Sequence, residues 1–439
     1  MTLSAVLVIP TAGPGLPDYL FGPVAGVPLL IRQILGLRRA GIAVLAILID
    51  PAKQAELARR LDRYRSMVGA VRLITDWLDP NAAAAPDLPA DHILLLPVNI
   101  LLGRQACEAL THQVPPPRGL RVGVLPFSSP LPASSPDGQP PWPSRSAGGF
   151  CLFTAAAWQE WWHWLRQHQG APLDSASGLW TRFSEFVTHK TALGQAAPLT
   201  LEPSHLMPVS RDEDLPLATT RLITLENDSP LSEGILEKAW NRPLARLLLP
   251  WILARPWSPN QITFFSFLVG LVAVWGFAHG SYAASVGASL LLPVILVLDC
   301  VDGAVARLKF QESRLGALLD LYGDSVLNLL LFLGMVIGCY RNSGHWFFLV
   351  MGVLIIIGYM ACWRLFLPSP VDQPAAPQPA AAAATFGDKL LAEAVSRDFF
   401  YIILLMALLG RLDWLVVALA VGTNIFAWLT YRQQRHGQH

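Results

Sequence analysis

The stretch DCVDGAVARLKFQESRLGALLDLYGD, residues 299–324, joins two apolar segments of the chain. It contains four aspartates, Asp299, Asp302, Asp320 and Asp324. Acidic side chains inside a membrane are costly, so acids within apolar segments are functional candidates by default. These four residues therefore predict a functional site where two helices meet.

Helical spacing brings the important residues of each segment onto one face. At about 100° per residue, Asp299, Asp302, Gly303, Ala306 and Arg307 fall within one arc of about 140°. The residues between them are apolar and lie outside that arc. The first helix therefore presents two carboxylates, a guanidinium and small residues on one face.

The second helix repeats this arrangement with Gly316, Asp320 and Asp324, each four residues apart. Four converging carboxylates repel one another unless cations lie between them. Oxygen ligands favour Mg²⁺, with Mn²⁺ or Ca²⁺ as alternatives, and two ions would suit phosphoryl transfer. The alternative is that the acids pair with neighbouring basic residues as solvated helix ends.

The composition excludes a chain that is soluble throughout. Hydrophobic residues make up 53% and charged residues 14%, against about 25% charged residues in ordinary soluble domains. The net charge of +1 gives no support for a nucleic-acid partner.

Six stretches after residue 258 are candidate membrane spans. They run roughly over residues 262–280, 282–300, 316–340, 346–367, 399–410 and 412–431. The sequence predicts an all-α domain of six transmembrane helices at 257–435, with a Pro/Ala-rich linker at 368–384. On one side of these spans the only basic residues are Arg341 and Arg411, whereas the other side is rich in them. We therefore expect a multi-pass protein of the inner or plasma membrane whose termini and aspartates are cytoplasmic.

The first 225 residues have a different pattern. Short apolar strands at 5–9, 43–50, 70–74 and 92–96 alternate with helical segments, which predicts a cytoplasmic, Rossmann-like α/β domain with a parallel sheet. Between the two parts, residues 230–256 predict an amphipathic juxtamembrane helix on the membrane surface. A plain linker helix is the alternative.

The aspartate stretch matches a family signature. Its spacing, Asp-x2-Asp-Gly-x2-Ala-Arg-x8-Gly-x3-Asp-x3-Asp, is identified as that of the CDP-alcohol phosphotransferase (phosphatidyltransferase) family. The sequence SPNQIT at 258–263 resembles the Pro-Asn-x-Ile-Thr motif that opens the first span in that family. The resemblance implies transfer of a phospho-alcohol from a CDP-alcohol to an acceptor hydroxyl, with release of CMP.

The resemblance also assigns roles to residues. It implies that Asp299, Asp302, Asp320 and Asp324 bind two Mg²⁺ or Mn²⁺ ions, with Asp324 also acting as general base. The residues implied for nucleotide and donor binding are Asn260, Gly303, Ala306, Arg307 and Gly316. The candidates for an acceptor phosphate are Arg397, Arg364, Lys309, Arg314 and Lys389. Among these, Arg397 with Asp398 resembles a subfamily that uses inositol phosphate.

The whole chain is similar to fused proteins that join two domains. In those proteins an inositol-phosphate cytidylyltransferase domain is followed by a membrane domain of this family, the di-inositol-phosphate-phosphate synthase. This likeness covers the first strand, residues 24–29, residues 38–42 and residues 148–150. Two departures indicate a degenerate nucleotidyltransferase-like domain at 1–225. The loop at 11–17 contains no basic residue, and Asn99 stands where the family has a metal-binding Asp.

Several alternatives stay open at this point. The donor could be CDP-diacylglycerol or a CDP-polyol, and the acceptor a polyol or a polyol phosphate. The first domain could make the donor, which would give a bifunctional enzyme. The chain could also be a non-catalytic membrane scaffold or transporter. The resemblance suggests a homodimer in contact with membrane lipid.

Overall fold

The protein is described here from a computed structural model, which covers residues 2–9, 16–69, 71–75, 88, 90–113, 115–116, 119–123, 150–167, 176–199, 201–202, 205–209, 211–227, 237–366 and 399–436. The chain divides into two compact units, Met1–Leu225 and Glu226–His439.

The first unit is built of short strands and helices that alternate along the chain. Its strands are β1 (Leu3–Val8), β2 (Pro23–Val24), β3 (Val27–Pro28), β4 (Ala43–Leu48), β5 (Arg72–Ile74), β6 (His92–Pro97), β7 (Ile100–Leu102), β8 (Leu120–Gly123), β9 (Phe150–Thr154), β10 (Ala196–Pro198) and β11 (Leu206–Pro208). Its helices are α1 (Leu29–Arg39), α2 (Gln54–Asp62), α3 (Arg65–Val68), α4 (Arg104–Thr111), α5 (Ala155–Gln167), α6 (Ala176–Ala192) and α7 (Leu215–Asn227). The last two residues of α7, Glu226 and Asn227, belong to the second unit.

Seven of these strands form one sheet in the order β10-β8-β9-β6-β1-β4-β5. This confirms the α/β fold, and β1, β4, β5 and β6 pair in parallel as the sequence predicts. The sheet also contains a strand that the sequence did not predict, β9, which runs antiparallel to both β6 and β8. Strand direction depends on the path of the whole chain, which local hydrophobic patterning does not reveal.

An aromatic cluster covers one face of this sheet. Trp158 and Trp161 of α5 are each 1% exposed and pack with Phe153 of β9 and with Phe183 and Phe186 of α6. The ring centroids of Trp161 and Phe186 are 5.2 Å apart. The core of the first unit therefore rests on side chains that stack between the sheet and two helices.

The second unit is helical throughout its described part. Its helices are α8 (Arg242–Leu253), α9 (Pro259–His279), α10 (Tyr282–Leu308), α11 (Arg314–Ser343), α12 (Phe347–Phe366), α13 (Phe399–Leu408) and α14 (Leu412–His436). Apolar side chains from α9 to α14 form a common core, which includes Phe277, Leu331, Ile355 and Val416.

Five of these helices are long and apolar enough to cross a membrane: Pro259–His279, Tyr282–Leu308, Arg314–Ser343, Phe347–Arg364 and Leu412–Arg432. The predicted fifth span corresponds to α13, which has 10 described residues. The residues before α13, including the linker at 368–384, lie outside the described part of the chain. The expectation of a multi-pass membrane domain therefore holds, with five long helices and the shorter α13 among the residues that the structure describes.

Helices α9 and α11 approach each other closely because glycines line their contact. A methyl group at Gly338 would lie 2.1 Å from the carbonyl oxygen of Phe277. One at Gly334 would lie 2.8 Å from the carbonyl oxygen of Val274. Small residues allow such close backbone packing between helices in a membrane. Since α9 also packs along α10, it holds together the two helices that carry the aspartates.

Helix α8 is apolar on two faces. Ala245, Leu249 and Ile252 are buried, whereas Leu247 is 76% exposed and Trp251 is 56% exposed. The Arg255 guanidinium lies 3.4 Å from the centroid of the Trp251 ring. Residues 228–236, which include the start of the predicted juxtamembrane segment, lie outside the described part of the chain. The described part of this segment consists of a π-helical turn, Glu237–Asn241, followed by α8.

Candidate functional site

Three aspartates from two helices form a compact cluster. One carboxylate oxygen each from Asp299 of α10 and from Asp320 and Asp324 of α11 all lie within 4.8 Å of one another. Asp299 and Asp320 are half-buried, and Asp324 is exposed. Carboxylate oxygens are the donors that hard divalent cations prefer, and this spacing lets one cation contact more than one of them. The cluster therefore fits a divalent metal ion.

A short connection brings the aspartates of the two helices together. Only residues 309–313 separate α10 from α11, and Phe310 adopts a left-handed backbone with a φ of 55°. Ser313 caps α11 by accepting a hydrogen bond at its Oγ from the Gly316 amide, at 2.9 Å. This cap fixes the start of α11, and helical spacing then places Asp320 and Asp324 on one face.

The fourth predicted metal ligand, Asp302, lies one turn beyond Asp299 on α10. It is 6% exposed, and it is outside the three-residue cluster. Thr263 of α9 donates a hydrogen bond of 2.6 Å from its Oγ1 to Oδ2 of Asp302. The structure therefore groups three of the four aspartates and holds the fourth against a neighbouring helix.

Small residues leave room beside the aspartates. A methyl group at Gly316 would lie 3.3 Å from Oδ1 of Asn260, so the start of α9 approaches the start of α11 at this point. A methyl group at Gly303 would lie 3.2 Å from a guanidinium nitrogen of Arg307. Ala306 is half-buried on the same helix. The implied donor-binding residues thus gather around one end of α9, α10 and α11.

The basic residues of the candidate site differ in their environments. Arg307 donates from Nε to the carboxylate of Glu226. Arg314 and Arg364 are exposed. Lys389 and Arg397, the other two acceptor candidates of this group, lie outside the described residues. Among the acceptor candidates that the structure describes, Arg314 and Arg364 are therefore the exposed ones.

Lys309 has an environment of its own. Its ammonium donates to the carbonyl oxygens of Arg255 and Trp257, each at 2.9 Å. The residue is 6% exposed, and burial lowers the pKa of its ammonium. Lys309 thereby ties the segment between α8 and α9 to the end of α10.

Thr263 and Tyr359 were not among the site residues that the sequence suggests. Thr263 follows Asn260 by three residues, so the shared helix face was the available signal. Tyr359 of α12 donates from its hydroxyl to the carbonyl oxygen of Ser325, at 2.9 Å. Ser325 directly follows Asp324, but no spacing rule connects it to α12, because that contact joins separate helices.

In the first unit, the described residues contain no group of three metal-binding side chains. Asn99 follows β6 in a turn, and its carbonyl oxygen accepts from the amide of Val209. Arg32, the first basic residue after β1, is buried and donates to the carbonyl oxygens of Val24 and Ala25. Residues 10–15 and Gly148 and Gly149 lie outside the described part of the chain.

With this geometry in place, comparisons with known proteins identify the domain. Residues 257–426 match the family described as CDP-alcohol phosphatidyltransferase. The match covers the helices that carry the aspartate cluster, and it supports a transferase.

The chain is also similar to a "Bifunctional IPC transferase and DIPP synthase" from Aquifex aeolicus (strain VF5). The two are 28% identical over 114 residues, which cover 26% of this chain and 25% of that relative. The match thus spans about a quarter of the relative's length.

Two solved structures resemble part of the chain. One is a candidate glucose-1-phosphate thymidylyltransferase from Bacillus anthracis in complex with a sucrose, with 10% identity and a TM-score of 0.34, covering 52% of this chain and 98% of that one. The other is 4-diphosphocytidyl-2C-methyl-D-erythritolsynthase from Anaerococcus prevotii DSM 20548, with 11% identity and a TM-score of 0.32, covering 50% and 98%. The α/β fold of the first unit rests on its own sheet order rather than on these likenesses.

Proposed function

We propose that the second unit transfers a phospho-alcohol from a CDP-alcohol to an acceptor hydroxyl and releases CMP. The observation that carries this proposal is the cluster of Asp299, Asp320 and Asp324 inside a CDP-alcohol phosphatidyltransferase domain. With Asp302 one turn away, the four carboxylates supply the oxygen ligands for a divalent cation, Mg²⁺ or Mn²⁺. Bound there, two such ions would neutralise charge on the pyrophosphate of the donor.

The protein's own residues divide the remaining tasks. Asp324 is the exposed member of the cluster, so an acceptor hydroxyl can reach it from solvent. Its carboxylate takes the hydroxyl proton while the acceptor oxygen forms a bond to the β-phosphorus and the bond from that phosphorus to CMP breaks. The alcohol phosphate is thereby transferred, and CMP departs with its own phosphate.

Donor binding falls to the residues at the shared end of α9, α10 and α11. Arg307 has the bidentate geometry that suits a phosphate, and it would exchange its contact with Glu226 for the donor. Gly303, Ala306 and Gly316 leave space for the nucleotide. Asn260 lies next to Gly316 and would contact a phosphate oxygen of the donor.

For the acceptor, we propose that the exposed Arg314 and Arg364 recognise a phosphate, together with Lys389 and Arg397 from the sequence. Lys309 is the weakest member of this group, because its ammonium already donates to two carbonyl oxygens. If the acceptor is a polyol phosphate, removing either exposed cation should raise the KM for the acceptor and leave kcat unchanged.

We further propose that both termini and the aspartates are cytoplasmic, that α8 lies on the membrane surface, and that the protein is a homodimer. The bias of Lys and Arg to one side of the spans supports the orientation. The exposed Leu247 and Trp251 of α8 support its contact with lipid. The first unit is proposed to be non-catalytic, since Asn99 replaces an acidic ligand and Arg32 is engaged with carbonyl oxygens.

The deciding experiment incubates the purified full chain with Mg²⁺, a panel of CDP-alcohols that includes CDP-diacylglycerol and CDP-inositol, and polyol and polyol-phosphate acceptors. We expect CMP release that requires both substrates and stops when EDTA is added. A product extracted into organic solvent would identify a lipid donor, and a water-soluble diester would identify a polyol donor. Absence of CMP with every pair would favour the scaffold or transporter alternative.

A further inference from the structure

Thr263 makes a hydrogen bond that belongs to none of the roles assigned above. Its hydroxyl lies 2.6 Å from Oδ2 of Asp302 and 3.2 Å from the carbonyl oxygen of Pro259. A hydroxyl has one proton to donate, and both of these neighbours are acceptors. The shorter distance is typical of a hydrogen bond to a carboxylate, so the proton goes to Asp302.

Asp302 has little freedom to make this contact elsewhere. It is 6% exposed, and Thr263 itself is half-buried between α9 and α10. When a buried carboxylate oxygen loses its hydrogen-bond donor, bulk water does not take the place of that donor. The hydroxyl of Thr263 therefore fixes the rotation of the Asp302 carboxylate about its side-chain bond.

The start of α9 is itself held firmly in place. Ser258 and Gln261 form a reciprocal capping box at its first turn. Lys309 binds the carbonyl oxygens of Arg255 and Trp257 just before that turn. The position of Thr263 relative to α10 thus depends on several contacts that do not involve Asp302.

We propose that Thr263 is a positioning residue for Asp302: its hydroxyl orients this carboxylate toward the divalent cation that the aspartate cluster binds. This inference rests on the proposed function, because it assumes that Asp302 serves as a metal ligand. Residues that hydrogen-bond to a metal ligand commonly change metal affinity about 10–100-fold when they are replaced. Thr263 touches no reacting atom and acts through Asp302.

The chain offers a matched control on the same helix. Ser266 lies three residues further along α9, is 7% exposed, and donates from its hydroxyl to the carbonyl oxygen of Ile295 on α10 at 3.5 Å. Replacing Ser266 removes a buried hydroxyl from the same helix interface without touching a carboxylate. Any loss that comes only from altered packing of α9 against α10 should appear in this control as well.

The test measures Mn²⁺ binding to the purified full chain by electron paramagnetic resonance, without substrate, for the unchanged protein and for Thr263→Val, Thr263→Ser and Ser266→Ala. We expect Thr263→Val to weaken Mn²⁺ binding about 10–100-fold. Thr263→Ser retains the hydroxyl and should bind close to the unchanged protein, as should Ser266→Ala. The Mg²⁺ concentration that gives half-maximal CMP release should be higher in Thr263→Val than in the unchanged protein. In Thr263→Ser and Ser266→Ala it should stay close to that of the unchanged protein.

Three outcomes would overturn the positioning role: unchanged Mn²⁺ binding in Thr263→Val, an equal loss in Ser266→Ala, or no Mn²⁺ binding by the unchanged protein. If Thr263→Val does not run as a single species in gel filtration, Thr263→Ala replaces it, with the same expected loss. If Mn²⁺ binding changes across the variants as expected but the unchanged protein releases no CMP from any donor, the proposed function is wrong. The positioning role of Thr263 is then still supported.

Discussion

The aspartate cluster of the second unit and the strand ends of the first unit are assembled in different ways. All three clustered aspartates come from residues 299–324, on two successive helices. In the first unit, β1 and β6 run in parallel with Val8 paired to Pro97, so residues far apart in the chain follow neighbouring strand ends. The aspartate cluster is therefore local in the sequence, whereas the grouping of residues at the strand ends depends on the topology of the sheet.

This difference explains why one part of the molecule could be interpreted chemically and the other could not. A helix places residues three and four positions apart on one face, so spacing alone predicts convergence. Strand ends converge only after the strand order is known. In the described residues after β6, the turn holds Asn99 and no carboxylate cluster. The proposed transferase chemistry therefore rests on the helices that carry the aspartate cluster.

We expect the largest loss of activity from Asp324→Asn. Removing the proposed general base while keeping the size of the side chain should lower the rate of CMP release at least about 10²–10⁴-fold. The measurement is CMP formation by the purified full chain under saturating Mg²⁺. Asp413→Asn is the control, because Asp413 lies in the first turn of α14, outside the cluster, and should leave the rate unchanged. A normal rate in Asp324→Asn would remove this residue from the mechanism.

The aromatic core of the first unit provides the second test. Trp161→Ala should destabilise this unit by about 3–5 kcal/mol, because a side chain that is 1% exposed loses its ring contacts and leaves a cavity. The rate of limited proteolysis within residues 1–225 measures the loss. Trp164→Ala, at a partly buried position against the same cluster, should have a smaller effect. Equal protease resistance in the two variants would show that the core lies elsewhere.

Lys309→Met separates a structural role from a substrate role. Methionine keeps the apolar stem but leaves the carbonyl oxygens of Arg255 and Trp257 without this donor, which should cost about 1–3 kcal/mol. Thermal unfolding in detergent measures the change. The control Arg314→Met, at an exposed position, should have an unfolding temperature close to that of the unchanged protein. If Lys309→Met instead kept its stability and raised the KM for acceptor, the expectation from the sequence that Lys309 binds the acceptor would be correct.

We expect no turnover of CTP by the first unit. The full chain carrying Asp324→Asn, supplied with CTP, Mg²⁺ and sugar or polyol phosphates, should release no pyrophosphate. The physical reason is the uncharged Asn99 in place of an acidic ligand. The transferase step is disabled in this variant, so any nucleotide turnover would come from the first unit. Pyrophosphate release with any of these phosphates would establish the bifunctional alternative.

Prediction from the sequence succeeded where local periodicity controls the result. The helices α9, α10 and α11, the gathering of Asp299, Asp320 and Asp324, and the parallel strands β1, β4, β5 and β6 all follow from spacing and hydrophobic pattern. The antiparallel β9 was missed, because the direction of a strand is not encoded in its local hydrophobic pattern. Thr263 was missed as a site residue because its partner lies 39 residues away on another helix.

The amino-acid pattern is sufficient to predict an α/β part and a membrane part, and to predict which carboxylates share a helix face. The reason is that side-chain spacing on helices and strands is fixed by backbone geometry. The folded arrangement is needed to show that Thr263 holds Asp302 while the other three aspartates cluster, and that the ammonium of Lys309 binds carbonyl oxygens. Those outcomes depend on how α8, α9 and α10 pack, and packing between helices follows from the shapes and hydrogen bonds of whole surfaces rather than from any single segment.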